Sequence, residues 1–451
     1  MAGIAGIART GKQADVSRML GKIAHRGRAG SEIISVEGNT LGIAWAKSQK
    51  SSAVALNKKH IAQDYAGDGH LAQAKITDDN MVLQRDQLGV APLYYGRTED
   101  DALCFASEVK ALLEVTDVVR QMPPGHRYDG SRFKQYFHLS KRPILKAPPA
   151  DIAQELRLRL ETSIEKRIGN GEVGSWLSGG LDSSAMAALA RPHVDRLHTF
   201  AAGVPGAPDL EAARSVAAFI DSDHREVIVS LQDMLAALPE VIYHLESFDA
   251  LLVRSSITNY LVAKLASDYV PAVFSGEGGD ELFAGYDYIK SLDPTQLPDE
   301  LIDITGRLHN TALQRVDRCA SAHGTVAHLG FLDPDVVDYA LRIPVEYKLH
   351  GRVEKWILRR AMENALPEHV LNRPKAKFWE GAGVVDLLAQ HADETIDDAQ
   401  FSRERTLSGG WVLNSKEELM YYRIFREHFG DINDLSWMGR TKGAPVQQPS
   451  P

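Results

Sequence analysis

The octet Leu177-Ser178-Gly179-Gly180-Leu181-Asp182-Ser183-Ser184 follows a short apolar run, Val173 to Leu177, and precedes an alanine-rich run, Ala185 to Ala190. That order predicts strand, loop and helix. Such a loop sets backbone N–H groups at the positive end of a helix dipole, where polyanions bind. Paired glycines let the backbone approach a phosphate closely, and the serines add hydroxyl donors. There is no Gly-Lys-Ser/Thr, so this is not the usual P-loop. Asp182 is the informative residue, because a carboxylate beside phosphates calls for Mg2+ between them. A second loop, Ser275-Gly276-Glu277-Gly278-Gly279-Asp280-Glu281, follows the apolar run Ala272 to Phe274 and crowds three carboxylates together. Mg2+ resolves that concentration of charge, and Asp280 with Asp182 is the expected pair of ligands or water-mediated contacts. The chemistry of these residue types is Mg-dependent handling of a polyphosphate.

The elements that must position the two loops follow from pattern and composition. At 451 residues the chain exceeds what one hydrophobic core usually supports, so two domains are expected. Residues 1–140 read as β-rich, with short strands near Gly3 to Ala8, Glu32 to Val36, Leu41 to Trp45, Met81 to Arg85, Leu93 to Tyr95 and Leu103 to Ala106. Lys141 to Pro149 holds three prolines and is the linker candidate. Residues 151–440 alternate helices with short apolar strands, the pattern of a doubly wound α/β sheet, which binds ligands at the carboxyl ends of its strands. Residues 441–451, rich in Pro and Gln, read as a disordered tail. A net charge of -9 with no dense Lys/Arg tract disfavours a nucleic-acid partner. Cys104 and Cys319 are the only cysteines, which supports neither a disulfide framework nor a zinc site and suits a cytoplasmic location. No apolar run approaches a membrane span.

With these motifs in view, the chain resembles the asparagine synthetases, enzymes that split ATP between its α and β phosphates. The resemblance runs through His25-Arg26-Gly27, the stretch Arg85 to Tyr95, Phe105 to Leu112, both loops, Tyr243 to Ser256, Asp317 to Gly324 and Leu366 to Phe378. It implies a degenerate N-terminal-nucleophile-type, glutaminase-like β-sandwich followed by a pyrophosphate-loop synthetase domain of the adenine nucleotide α-hydrolase-like type. It also implies ATP and Mg2+ as cofactors. Leu177, Ser178, Gly179, Gly180, Asp182, Ser183, Ser184, Ser275 and Gly276 are then nucleotide-binding candidates, with Ala202 and Gly203 beside adenine. Asp182 and Asp280 are the metal candidates. Lys375, the first lysine after Arg373-Pro374, and Glu277 are the catalytic candidates.

Departures from the family are as telling. Its N-terminal cysteine is Ala2 here, and a methyl group cannot attack an amide. The arginine that holds the glutamine carboxylate falls on Trp45, and the segments completing that pocket are missing from the shortened stretch between Trp45 and Met81. The expectation is a retired glutaminase. In the acceptor site Arg254 is kept, but Leu251 and Leu252 replace a Thr-Thr pair and Val326 replaces a Glu. A polar carboxylate partner thereby loses its contacts. These four residues are the substrate candidates. The amine is free ammonia, a second substrate's amine or an amine of the same molecule. The last is the route of the β-lactam synthetases, relatives that also lack the cysteine and close a strained ring. Their Tyr-Glu pair falls on His323 and Arg360 here, so a monocyclic β-lactam synthetase of the tabtoxinine type is the nearer fit. The expected partner is a small amino-acid-like substrate, with no nucleic acid and no membrane, and a homodimer is left open.

Overall fold

The computed structural model describes residues 2–46, 56–64, 69–168, 173–374 and 387–441. Its first part holds two antiparallel sheets. Strands β1 (Ala2–Ile7), β2 (Gly30–Val36), β3 (Asn39–Trp45), β7 (Tyr94–Arg97), β8 (Leu103–Ala106) and β9 (Val119–Gln121) form a six-stranded sheet in the order β2-β3-β1-β8-β7-β9. Strands β4 (Ile61–Asp64), β5 (Ala72–Thr77), β6 (Asn80–Arg85), β10 (His126–Tyr128) and β11 (Phe133–Gln135) form the other, in the order β11-β10-β6-β5-β4. Strand β1 is buried at every position, as its run of Ala, Gly and Ile demands, whereas β5 alternates buried and half-buried residues. The expected strands are present with ends moved by at most two residues. The helix Gln13–Lys22 and strands β4, β5, β9 and β11 are additions to the sequence reading.

The second part is built on one parallel sheet. Strands β12 (Gly174–Trp176), β13 (His198–Gly203), β14 (Asp223–Ile228), β15 (Ala272–Phe274) and β16 (Val326–His328) lie in the order β14-β13-β12-β15-β16. From β12 the chain steps outward one way to β13 and β14, then returns to the other side for β15 and β16. The reversal lies between β12 and β15, which places the ligand crevice at their carboxyl ends. The helix Pro149–Ile168 leads toward β12, and the expected alanine-rich helix is Leu181–Ala190.

The two parts share a hydrophobic core and a buried ionic network. The Arg26 guanidinium donates to both carboxylate oxygens of Asp317 at 2.8 and 3.0 Å, to Asp64 at 2.7 Å and to Glu108 at 2.8 Å. Arg318 beside Asp317 donates to Glu246 at 3.0 Å. All six charged residues are at most 3 % exposed, so each charge depends on its partners rather than on water. Cys104 and Cys319 are free and buried. Among the described residues no helix is long and apolar enough to cross a membrane.

Candidate active site

Strand β12 ends at Trp176 and hands the chain to the octet, which turns into the helix Leu181–Ala190 with Gly180 at its N-cap. The first turn of such a helix aims its N–H groups outward. Two serines hold the turn: Ser178 Oγ and Ser183 Oγ are 3.0 Å apart, the Ser178 N–H donates to Ser183 Oγ at 3.2 Å, and that hydroxyl donates to Gly180 O at 3.2 Å. Gly179 is required by conformation and space, since its φ is +69° and a Cβ there would meet Ala212 Cβ at 2.4 Å. The octet thereby packs directly on the helix Pro208–Phe219.

Strand β15 delivers the second loop alongside. A Cβ on Gly279 would lie 2.5 Å from Asp182 Oδ1, so the absence of a side chain lets the two loops touch where the phosphate chemistry is expected. Both loops open into a cavity of about 690 Å3, a size that suits a nucleotide-like ligand. Its walls include Leu177, Ser178, Gly180, Asp182, Ser183, Ala202, Leu251, Leu252, Ser275, Gly276, Glu277 and Asp280. Most of the residues singled out from sequence thus share one wall. Gly179, Ser184, Gly203 and Val326 are outside that lining; Ser184 and Val326 are buried behind it, Val326 pairing with Ala272 across β16 and β15. Lys375 lies outside the described residues.

The chief residue that sequence reasoning missed is Lys355. Its ammonium lies 2.5 Å from Asp182 Oδ2 and 2.6 Å from Asp280 Oδ1, and the residue is 2 % exposed. The two expected metal ligands do converge, but on a lysine. The reading that Mg2+ alone relieves the crowded carboxylates is corrected accordingly, because protein cations already compensate two of the three in the second loop. Asp280 has Lys355, and Glu277 has Arg315 from the helix Ala312–Ala322. Arg315 was also missed, as was Arg373, which donates to Asp209 at 2.7 Å and to Ser178 O at 3.4 Å. Arg373 is in turn held by Arg359, which donates to its carbonyl at 3.2 Å. Arg373 therefore sits at the rim of the phosphate loop. Neither Lys355 nor Arg315 lies in a local pattern that marks it. Arg373 alone had a sequence signal, standing in the Arg-Pro-Lys stretch.

Two carboxylates facing one cation are a sufficient protein share for Mg2+, which takes one or two carboxylates and completes its shell from phosphates and water. Among the described residues no cluster of three or more His, Cys, Asp or Glu forms a fuller metal cage.

Arg254 does not reach the main cavity. It is paired with Glu417 on the helix Lys416–Phe429 and lines a smaller neighbouring cavity of about 240 Å3, which shares Leu251 and Arg440 with the large one. His323 packs on the Tyr260 ring at 4.4 Å, and burial pushes its imidazole down to about 4, so it is neutral at physiological pH. Arg360 sits over the Trp356 ring. Neither lines the cavity.

In the first part, Ala2 is fully buried. Its N–H donates to Asp64 Oδ1 at 2.8 Å, its carbonyl accepts from Arg26 Nε at 3.0 Å, and Trp45 is its cross-strand neighbour.

Comparison with known proteins adds the following. Residues 155–302 and 296–444 match the asparagine synthase family, and residues 59–150 match the glutamine amidotransferase domain. Over 391 residues the chain is 36% identical to a probable glutamine-hydrolyzing asparagine synthetase of Schizosaccharomyces pombe, covering 78% of this chain and 70% of that one. It is 35% identical to asparagine synthetase B of Escherichia coli, covering 78% and 68%, and 34% identical to asparagine synthetase 2 of Arabidopsis thaliana, covering 78% and 65%. The chain thus spans about two thirds of the length of the curated relatives it matches.

Proposed function

Given that the chain belongs to the asparagine synthase family, we propose that it is an ATP-dependent, AMP-forming carbon–nitrogen ligase that works without hydrolysing glutamine. The observation that carries this reading is the meeting of the octet and the Ser275–Glu281 loop on one cavity at the reversal of the parallel sheet. ATP lies with its β and γ phosphates on the first turn of Leu181–Ala190 and its adenine toward Ala202. Asp182 and Asp280 would hold Mg2+, which would supply charge to offset the pyrophosphate. The substrate carboxylate attacks the α-phosphate, and an amine then attacks the acyl-AMP to give an amide and AMP. This chain's part is positioning and charge: helix N–H groups and Lys355 border the phosphates and act most strongly as pyrophosphate separates, and Lys375 is the further cation assigned to that charge from the sequence. Glu277, fixed by Arg315, borders the acyl centre.

The amine that best suits the cavity belongs to the same molecule, giving a lactam in the manner of a β-lactam synthetase. Leu251 and Leu252 present apolar surface where a free aspartate carboxylate needs donors, and a tethered amine makes the second step unimolecular. Ala2, sealed between Asp64 and Arg26, supplies no nucleophile, so residues 1–140 serve as a retired glutaminase-like unit. The second reading, an ammonia-dependent asparagine synthetase-like ligase, is favoured by the names of the relatives, all asparagine synthetases. Mass spectrometry after incubation with ATP, Mg2+ and either β-amino carboxylates or aspartate, with and without ammonium, separates the two. A product lighter than its acid by one water, formed without ammonium, supports the lactam. Asparagine made efficiently from aspartate and millimolar ammonium selects the alternative.

A further inference from the structure

The main cavity continues past the two loops. Beyond Glu277 and Asp280 its lining runs over Tyr286, Tyr288, Ile304, Leu308, Thr311 and Ala312. Two contacts tie this shelf to the phosphate end. A Cβ on Gly285 would overlap both Asp280 and Lys355, so the chain passes against that ion pair one residue before Tyr286. Ala312 opens the helix Ala312–Ala322, whose Arg315, about one turn on, pairs with Glu277. Ile304 and Leu308 are 7 % and 3 % exposed, and Ile304 belongs to a small apolar cluster with Ala284, Ile289, Leu297 and Leu301. The polar atoms are spoken for: the phenols of Tyr286 and Tyr288 donate to Glu281 and Glu300, and the Thr311 hydroxyl donates to Arg307 O at 3.1 Å. Arg307, which also lines the cavity, is paired with Asp303. The described residues of the shelf therefore offer a ligand carbon, and an acid as short and polar as aspartate has nothing to lay on it.

We propose that this shelf takes an alkyl or aryl substituent of the acid, so that the substrate is a hydrophobic β-amino acid. The proposal rests on the ligase reading above and names its substrate class. With ATP between Ala202 and the octet, the reacting carboxylate comes to the two loops from the remaining side of the cavity, and a substituent directed away from the phosphates runs onto the shelf. Leu251 and Leu252 line the same cavity and add to its apolar surface. Each methylene moved from water onto such surface is worth about fourfold in affinity. The shelf is also preformed, since Ile304 and Leu308 are already packed, so a ligand gains this without ordering the wall.

The test is carboxylate-dependent exchange of labelled pyrophosphate into ATP by the full-length protein. The acids are aspartate, 3-aminopropionate, 3-aminobutanoate, 3-aminohexanoate and 3-amino-3-phenylpropionate. From 3-aminobutanoate to 3-aminohexanoate, which is two methylenes longer, kcat/KM should rise at least about tenfold, and the phenyl acid should exceed aspartate by no less. The ratio between two acids on one protein is the readout, because partial loss of folded enzyme cancels in it. Tyr288→Ser should cut the hexanoate-to-butanoate ratio to about threefold or less, and Ala312→Phe, which fills the shelf, should bring it to about one or below. A series that is flat or favours aspartate, or the wild-type ratio kept in either folded variant, overturns the proposal and leaves the ligase reading standing. Absence of exchange in the wild type with every acid overturns the ligase reading itself, and the proposal with it.

Discussion

Replacing Lys355 by methionine keeps the side chain's length and apolar stem but removes the one charge that Asp182 and Asp280 share. The ammonium is nearly inaccessible, with its side chain 3 % exposed and those of the two aspartates 11 % and 13 %, so solvent screens the cluster little. Breaking a buried ion pair from one side costs about 3–5 kcal/mol, because the partner charge is left uncompensated. Uptake of a proton by one aspartate limits the loss. Mg2+ offers a second way out. An ion that binds only the folded chain adds about 2.7 kcal/mol of stability at a hundred times its Kd, more than half of the loss. In the wild type the ion competes with a lysine already in place, so its effect should be smaller. Calorimetry in EDTA and in MgCl2 reads this without any substrate. The variant's unfolding midpoint should fall by several degrees in EDTA and recover at least half of that fall in Mg2+, while the wild type moves less. A variant as stable as the wild type in EDTA, or equal responses to Mg2+, would refute the shared-cation geometry.

Three further outcomes are expected. Ala2→Cys should release no glutamate from glutamine above a no-enzyme control, because position 2 is fully buried with its N–H and carbonyl already bonded. Lys375→Ala should lower kcat far more than it raises the KM for ATP, since a cation near the reacting phosphate matters most when charge peaks; equal losses would mark it as a uniform anchor. Lys348 is 3 % exposed, and burial pushes its amine down to about 7. The unfolded chain then binds more protons than the folded one between about pH 7 and 10, so stability rises with pH across that window. Lys348→Met should raise the unfolding midpoint, and by more at about pH 6 than at about pH 10; the same gain at both would contradict the shifted amine.

What could be read from sequence was what is local. The octet declares itself because strand, paired glycines, acid and alanine-rich helix are contiguous, and the Ser275–Glu281 loop for the same reason. Lys355 and Arg315 were invisible as site residues because charge compensation works through space. Lys355 arrives from 75 positions beyond Asp280, in a left-handed residue at the start of the helix Trp356–Ala361. Strand β14, Asp-His-Arg-Glu-Val-Ile, has no apolar run to mark it as a strand. It is an edge strand, and its charged side chains pair along and across it, as Arg225 does with Asp223 and Arg214 with Glu226. Arg254 looked like a substrate contact because its neighbours match the family. Its partner Glu417 lies 163 residues on, a distance no local pattern spans.

The central claim is that a substrate carboxylate oxygen is joined to the α-phosphate before the amide forms. The direct measurement uses an acid with 18O in its carboxylate, ATP and Mg2+, with mass spectrometry of the nucleotide product. The account predicts AMP carrying one 18O for each amide formed, with pyrophosphate as the co-product. ADP with inorganic phosphate, or AMP free of label, would contradict it.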